Sequence, residues 1–446
     1  MNVLGSLLPL LAALAQGSGA PRQASTLESR TWVRSFGLDG VDDLFAAAPR
    51  NDGGLFLTGQ TTSFGSGGID AWVLRLDRLG RTVFEVALDG ASYSATQAVL
   101  ATPDGGCLVL GATTSFGAGG FDGWTAKLDA SGAIQWQKAY GSDDDEVLSY
   151  LAPSPDGYYL GGTITPGLSV YDIWLLEIDF GGNVLWQWRF SIPGSDFIAG
   201  IAPTDTGLAV VAYTSSSFPG SPGSLSVARP WLLALDGDGG NLWQKVYDAG
   251  GGTNVWSSIQ TLDDGFVVAG DVRRAGRPDV WVVRLDANGD IVWDRRIGDP
   301  FGLPDTDRGA AVRATAGGSF EVFAWREVFS DRLWLLELDA AGTRLRDRTF
   351  DVRPNETARY LELLSNGDLL LGAVSTFETN ALVMRFTPDG RGPADCALGN
   401  LTAPTEWSGP VTVVPVLLAP VPFAAVATDT NATSVPALTG KVLCPR

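Results

Sequence analysis

Residues 32–37 read Trp-Val-Arg-Ser-Phe-Gly, and residues 136–141 read Trp-Gln-Lys-Ala-Tyr-Gly. The two hexamers match position for position, with aromatics first and fifth and glycine sixth. The second is the closing strand of a repeated unit. The first stands at the front of the chain, before any unit begins. The last unit, which runs to Gly390, lacks such a strand. A front strand that completes the last unit closes the array into a ring and leaves no unpaired edge between units. A linear solenoid needs no such complement and calls for capping repeats instead.

The unit itself recurs about every 52 residues, a period of propeller blades or solenoid turns. Its marker is a tryptophan strand ending in Leu-Asp or a near equivalent, at Trp72, Trp124, Trp174, Trp231, Trp281 and Trp334; Leu382 holds the place in a seventh copy. Trp72, Leu74 and Leu76 share one strand face by period two, and Val73 lies on the other. Both faces are apolar, so the strand belongs in a sheet packed between two others, as radial blades provide. Upstream lie Asp52-Gly53-Gly54 before Leu55-Phe56-Leu57 and Asp104-Gly105-Gly106 before Cys107-Leu108-Val109. Asp-Gly suits a hairpin turn because these residues tolerate positive φ. Downstream, Leu-Asp leads through a glycine to an aromatic: Leu128-Asp129, Gly132, Trp136; then Leu285-Asp286, Gly289, Trp293. Each unit reads as four antiparallel strands. The expected fold is all-β, a seven-bladed β-propeller over residues 31–390, closed by an N-terminal strand and followed by an extended C-terminal tail.

Composition limits the function. The formal net charge of −19 disfavours nucleic acid and anionic lipid as partners. The chain has no histidine, which excludes Ser-His-Asp and Cys-His catalysis and the usual histidine-containing zinc sites. Residues 1–15 carry the apolar run Leu7–Leu14 and end in Ala13-Leu14-Ala15, the pattern of a signal peptide, with residues 16–30 as a linker. The mature chain is therefore expected in a secreted or periplasmic setting, without a membrane span. Residues 391–446 form a Val/Thr/Pro-rich extension, in which Pro415, Pro420 and Pro422 argue against a membrane helix or a central strand. Cys107 reads as a small core residue. Cys396 and Cys444 bracket the tail; they are either two free thiols or a disulfide closing a loop of about 48 residues, worth ~4 kcal/mol in the chain-entropy model.

The pattern Asp-Gly-Gly, apolar run, Thr-Ser-Phe-Gly, Asp-x-Trp, Leu-Asp, Gly, Trp resembles the tandem repeats of secreted bacterial and archaeal β-propellers. Its Leu-Asp-x-x-Gly-x-x-x-Trp portion is similar to the tryptophan-docking motif of pyrroloquinoline-quinone-type propellers. The likeness covers residues 31–390 and implies fold rather than activity. Quinoprotein dehydrogenases of that kind usually have eight blades and an adjacent cysteine pair; this chain has seven units and no such pair. Cysteine-bounded tails with Thr-Asn-Ala-Thr elements, here Thr430-Asn431-Ala432-Thr433, follow other propellers of the same type.

In such a blade the turns after the first and third strands lie on one face and are short here. The loops after the second and fourth strands lie on the other face and vary, and variable loops on a rigid scaffold are where binding is expected. Two sets of residues fall there. Asp42, Glu146, Asp196, Asp307 and Glu356, with Ser94 and Asn254 in the remaining copies, precede the innermost strands and would ring the channel mouth. They are candidates for holding calcium or a basic ligand; the plainer reading is that each accepts hydrogen bonds from its own loop. Phe64, Phe116, Phe218, Trp325 and Phe377 lie in the loops, where they would stack on a sugar or clasp a peptide, or else pack as satellite core. Asp143-Asp144-Asp145-Glu146 resembles a metal cluster but lacks the spacing of an EF-hand loop. Three functions stay open. The first is a non-enzymatic binding or scaffolding propeller for an extracellular protein or glycan. The second is a carbohydrate-active or quinone-dependent enzyme with carboxylates at the channel mouth. The third is a surface protein docking through its tail.

Overall fold

The computed structural model describes residues 31–387 apart from positions 39, 66–67, 91, 168–169, 216–226, 251, 275–276, 299–305, 316, 328–330, 352–355, 364–367 and 376–380. Beyond residue 387 it describes six short strands of the tail. For these strands, and for residues 306–310, 325–327, 331–333 and 356–363 among others, only the backbone is described. Residues 1–30, expected to be a signal peptide and linker, lie outside the described residues, as do Phe218, Phe377, Cys396, Cys444 and the side chains of Asp307, Trp325 and Glu356.

Seven antiparallel sheets, each built on four blade strands, form a seven-bladed β-propeller. Blade 1 spans Asp42–Asp89, blade 2 Ser94–Gly141, blade 3 Asp145–Phe190, blade 4 Asp196–Asp248, blade 5 Val255–Gly298 and blade 6 Thr306–Asp351. Blade 7 takes three strands from Glu356–Phe386 and its fourth from Trp32–Phe36. That N-terminal strand pairs antiparallel with Ala381–Phe386, from Trp32↔Arg385 to Phe36↔Ala381. The ring is closed by the strand that the hexamer match singles out.

The core lies between blades rather than within them. Trp72 and Leu74 join Leu370 and Val383 of blade 7, while Val73, from the same strand, joins Trp124 and Val109 of blade 2. The marker tryptophans from Trp72 to Trp334 are all buried. Burial of a large aromatic from both sides at each blade is the dominant favourable term in such a core.

The Leu-Asp-x-x-Gly turn adds a specific inter-blade lock. Gly182 has φ +80°, and a Cβ there would stand 2.9 Å from the ring of Trp136, from the preceding blade. Gly289 and Trp243 repeat the contact at 2.5 Å, Gly342 and Trp293 at 2.9 Å. Glycine is required twice over, by its backbone conformation and by the ring lying on it. The indoles then donate to the same turns: Trp136 Nε1 to the Phe180 carbonyl at 3.0 Å and Trp293 Nε1 to Ala340 at 3.0 Å. Two tyrosines do likewise, Tyr140 to Gly182 at 2.8 Å and Tyr247 to Gly289 at 2.6 Å. The turn aspartate organises the receiving loop: Asp179 accepts from the amides of Gly181 and Asn183 at 2.9 and 2.8 Å.

The tail runs round the rim as a belt. Its strands add to the outer edges of blades 5, 4, 3, 2, 1 and 7 in turn: Thr405–Trp407, Thr412–Pro415, Val421–Pro422, Val426–Asp429, Thr433–Pro436 and Lys441–Val442. Every pairing is antiparallel, as in Tyr247↔Val413 and Arg34↔Val442. Pro415, Pro422 and Pro436 each end a belt strand. This is where proline is tolerated, since the edge it leaves unpaired faces outward.

Candidate functional site

The variable-loop face is built from residues that open the inner strands and the third strands. Asp42, the first residue of its inner strand, is buried. It accepts from the Leu38 amide at 2.8 Å, the Thr61 hydroxyl at 2.5 Å and the Ser63 hydroxyl at 2.6 Å. Glu146 accepts from the amide and hydroxyl of Ser142 at 3.1 and 2.5 Å. Asp196 accepts from the Ile192 amide at 2.7 Å. Ser94 shares a hydrogen bond with Thr113 at 2.9 Å, and Asn254 donates to Gly250 and accepts from the Arg273 amide. Asp42, Glu146, Asp196 and Asn254 tie the incoming loop to their own blades, and Ser94 bonds the end of the second strand. The five stand at equivalent positions in blades 1 to 5.

A second set of carboxylates opens the third strands: Asp70, Asp122, Asp172 and Asp279, with Arg229 in that place in blade 4. The two sets approach one another across blade junctions. Burial first, and then the nearby charge of Asp122, push Glu146 up to about 7. Burial and then Asp172 do the same to Asp196. Asp122 is itself raised, by burial and by Asp145. A carboxyl that is neutral near pH 7 can share a proton with its neighbour instead of repelling it. Arg229, the exception, pairs with Asp248 at 2.8 Å. Asp143, Asp144 and Asp145 turn outward while Glu146 is buried: Asp144 accepts from the Gly167 amide at 3.2 Å and Asp145 from the Phe121 amide at 2.8 Å. Among the described residues, no group of three His, Cys, Asp or Glu is placed to hold a metal ion.

Of the loop phenylalanines, the two among the described residues, Phe64 and Phe116, face inward. Phe64 lies edge-on to Trp72 with ring centroids 5.8 Å apart, and Phe116 packs against the core between blades 1 and 2.

A different set of aromatics reaches the surface. Tyr171 precedes the third strand of blade 3, Phe197 is second in the inner strand of blade 4, and Tyr213 pairs with Phe197 in register. Tyr171 and Phe197 have centroids 4.9 Å apart, and Phe197 and Tyr213 stack at 5.1 Å with planes 22° apart. Tyr171 is 41% exposed; Phe197 and Tyr213 are half-buried. Burial, and then Tyr213, push the phenol of Tyr150, on the inner strand of blade 3, up to about 12. One junction away, Tyr93 and Phe121 make a T-shaped pair at 5.4 Å.

The ladder breaks the repeat. By strand register, the equivalents of Phe197 are Asp43, Ala95, Val147, Val255, Arg308 and Thr357, and those of Tyr213 are Gln60, Ala112, Thr163, Asp271, Trp325 and Val374, so no other blade pairs two aromatics there. Only a comparison of columns across all copies exposes this in the sequence. The inner strands also share a register shift at one place, between Leu44 and Ala46, Leu148 and Tyr150, and Ile198 and Gly200, for example. Such bulges re-aim side chains, and here they do so along the channel wall.

No family model matches the chain, and no curated protein matches it. Among solved structures it is similar to Sqt1 from Chaetomium thermophilum, with 15% identity over 85% of this chain and 91% of that one and a TM-score of 0.47. It is similar to the periplasmic gluconolactonase PpgL of Pseudomonas aeruginosa, with 14% identity over 75% and 95% and a TM-score of 0.42. It is also similar to the WD40 domain of SCAP from fission yeast, with 10% identity over 90% and 98% and a TM-score of 0.39. At such scores the ligand and the activity must be sought in the chain's own residues.

Proposed function

We propose that the protein is an exported, tandem-repeat binding propeller that takes a glycan on its variable-loop face. The observation that carries this reading is the ladder Tyr171–Phe197–Tyr213, in which blade 4 alone pairs two aromatics at the register of Phe197 and Tyr213. Aromatic side chains combine a large apolar surface with a polar hydroxyl, the combination that a sugar face and its rim of hydroxyls engage. The acidic surface and the lack of histidine support binding over the commoner hydrolytic chemistries. The ring carboxylates support it too, since loop donors already engage them.

A glycan array followed by titration calorimetry tests the reading. A ligand in the micromolar to low millimolar range is expected, with Tyr171→Ala and Tyr213→Ala each weakening it ~10-fold, about the loss of one aromatic contact. Unaltered affinity in both variants would remove the ladder from the site.

The second reading, a carbohydrate-active or quinone-dependent enzyme, draws on Glu146 and Asp196, which keep a proton near neutral pH as a general acid must. Turnover of any glycan on the panel, abolished by Glu146→Gln or Asp196→Asn with binding intact, would favour it. Turnover only after loading with quinone and calcium would favour the cofactor-dependent form.

A further inference from the structure

The junction of blades 3 and 4 differs from its neighbour in one polar detail. Where blade 2 meets blade 3, both carboxylates are fully engaged. Asp122 accepts from the amides of Ala118 and Gly119 at 3.2 and 3.4 Å, and each oxygen of Glu146 accepts from Ser142. Their counterparts one junction on are Asp172 and Asp196. Oδ2 of Asp196 accepts from the Ile192 amide, and Oδ2 of Asp172 lies 3.4 Å from Nε of Arg189. Oδ1 of Asp172 and Oδ1 of Asp196 are both buried, and no hydrogen-bond donor among the described residues reaches either. A buried acceptor without a donor is costly. One proton removes both defects at once: carried on one carboxyl, it is donated to the other. Elsewhere the pair is broken, since Ser94 stands for the inner carboxylate in blade 2, and Arg229 and Asn254 fill the two places where blade 4 meets blade 5.

The orphaned pair lies at the aromatic ladder. The Asp196 amide donates across the junction to the Tyr171 carbonyl at 2.7 Å. Asp172 follows Tyr171 in the chain, and Asp196 precedes Phe197. Thr214, the register partner of Asp196, follows Tyr213. Each ladder aromatic is therefore bonded in sequence to one member of a single polar cluster. We propose that Asp172 and Asp196 share one proton and act as positioning residues for the ladder, holding Tyr171 against Phe197 while the proton is kept and loosening that contact when it leaves.

Burial is the main cause that lifts Asp196 to about 7; the Thr214 hydroxyl and the Ile192 amide oppose it, and the charge of Asp172 adds to it. The charged groups on this side of the cluster are Asp172 and, beyond it, Arg189. One cation offsets one carboxylate. Once the proton has gone to water, the second negative charge is unmatched, and the two carboxylates repel across the junction that Tyr171 and Phe197 span. The ladder is thus closed on the acidic side of about pH 7 and loosened above it. On the reading that the ladder is the glycan site, the shared proton also sets its affinity.

Infrared difference spectra of the full chain test the proton, and near-UV circular dichroism of the stacked tyrosines tests the ladder; neither needs a ligand. The carbonyl band of a protonated carboxyl should disappear between about pH 6 and about pH 8, and the difference between wild type and Asp196→Asn should isolate it from other buried acids. The tyrosine dichroism should change over the same range. Asp196→Asn keeps an acceptor for Ile192 and a donor for Asp172, so its dichroism should stay constant. Asp172→Asn removes the neighbouring charge and should move the midpoint upward or downward together in both readouts. No titrating band in the wild-type difference would overturn the shared proton, and a titrating band beside constant dichroism would overturn its hold on the ladder. Glycan affinity should fall ~10-fold from about pH 6 to about pH 8 in wild type and stay level in Asp196→Asn. If both ligand-free readouts titrate and no glycan on the array binds, the proton-sharing pair stands and the glycan reading falls.

Discussion

Trp32 lies across Gly80, 2.7 Å from where a Cβ would stand, just as Trp136 lies across Gly182. Arg34 reinforces the junction by donating to the carbonyls of Gly80 and Leu79, both at 3.1 Å. On the other side Arg385 pairs with the buried Asp368 at 2.8 Å and donates to Gly53 of blade 1 at 2.9 Å. The seam where the chain's beginning meets its last sheet is thus tied like any other. Trp32→Ala removes the docked ring, and a loss of ~3–5 kcal/mol is expected from denaturant titration. A loss below ~1 kcal/mol would mean that closure does not depend on this contact.

The same lock can be broken from the glycine side. Gly182→Ala places a Cβ against Trp136 at a backbone φ of +80°. The left-handed conformation alone costs a non-glycine residue ~1–3 kcal/mol, and the clash adds to it. The urea midpoint should fall without loss of the folded signal. Gly167, also at positive φ but with nothing within 4 Å, is the control for the clash.

Tyr247→Phe leaves the Gly289 carbonyl without its hydroxyl donor. A buried acceptor stripped of its partner costs ~1–3 kcal/mol. Thermal or chemical unfolding measures it. A neutral outcome would show that another donor has taken the place.

The pH dependence follows from buried carboxyls. Burial is the main cause that raises Glu85, Glu146 and Asp196 to about 7. In the unfolded chain such groups ionise near ~4. Between those values the folded state holds more protons than the unfolded one, so stability falls as pH rises from ~4 through ~7. Asp104 acts in the opposite sense: against its burial, Lys127 and Thr102 hold it near about 2, so its contribution is lost only as pH falls through that region. A melting scan should peak between the two regimes, on the acidic side of neutrality. Glu146→Gln should flatten the decline, gaining ~1–2 kcal/mol at pH 8 relative to pH 5. An unchanged slope would mean that Glu146 is ionised in the fold.

Removal of the tail should leave a folded propeller with exposed rims. A chain ending at Gly390 keeps every blade and the seam at Trp32, but the outer edges that carry belt strands become open templates for pairing. Near-UV circular dichroism is expected to persist while light scattering reports concentration-dependent association. If the truncated chain stays monomeric, the belt does not serve to shield edges.

The blades are legible in the sequence because a tryptophan flanked by apolar residues every fifty or so positions leaves little choice of packing. The hexamer at Trp32 then selects a ring over an open array. The inner-strand carboxylates are legible as a set, but their partners are not. Leu38, Ser142, Ile192 and Gly250 each stand four residues upstream of the group they bind, a spacing that is visible in the sequence only once the loop conformation is known. The aromatic ladder is hidden because Phe197 and Tyr213 meet only through strand register, and Tyr171 joins them only when blades 3 and 4 pack. The belt is hidden for another reason. Strands of two to four residues show no period, and prolines that usually argue against a sheet are here the residues that end three of the six edge strands.

Blade 7 holds the first and last described strands side by side, with Arg34 and Ser35 paired on one flank to the strand before the tail and on the other to Val442 and Lys441. A force pulling those two strands apart would therefore load a single sheet. Ribosomal synthesis meets the same arrangement in time: the earliest strand must wait, unsatisfied, until nearly the whole chain has emerged before it finds either neighbour.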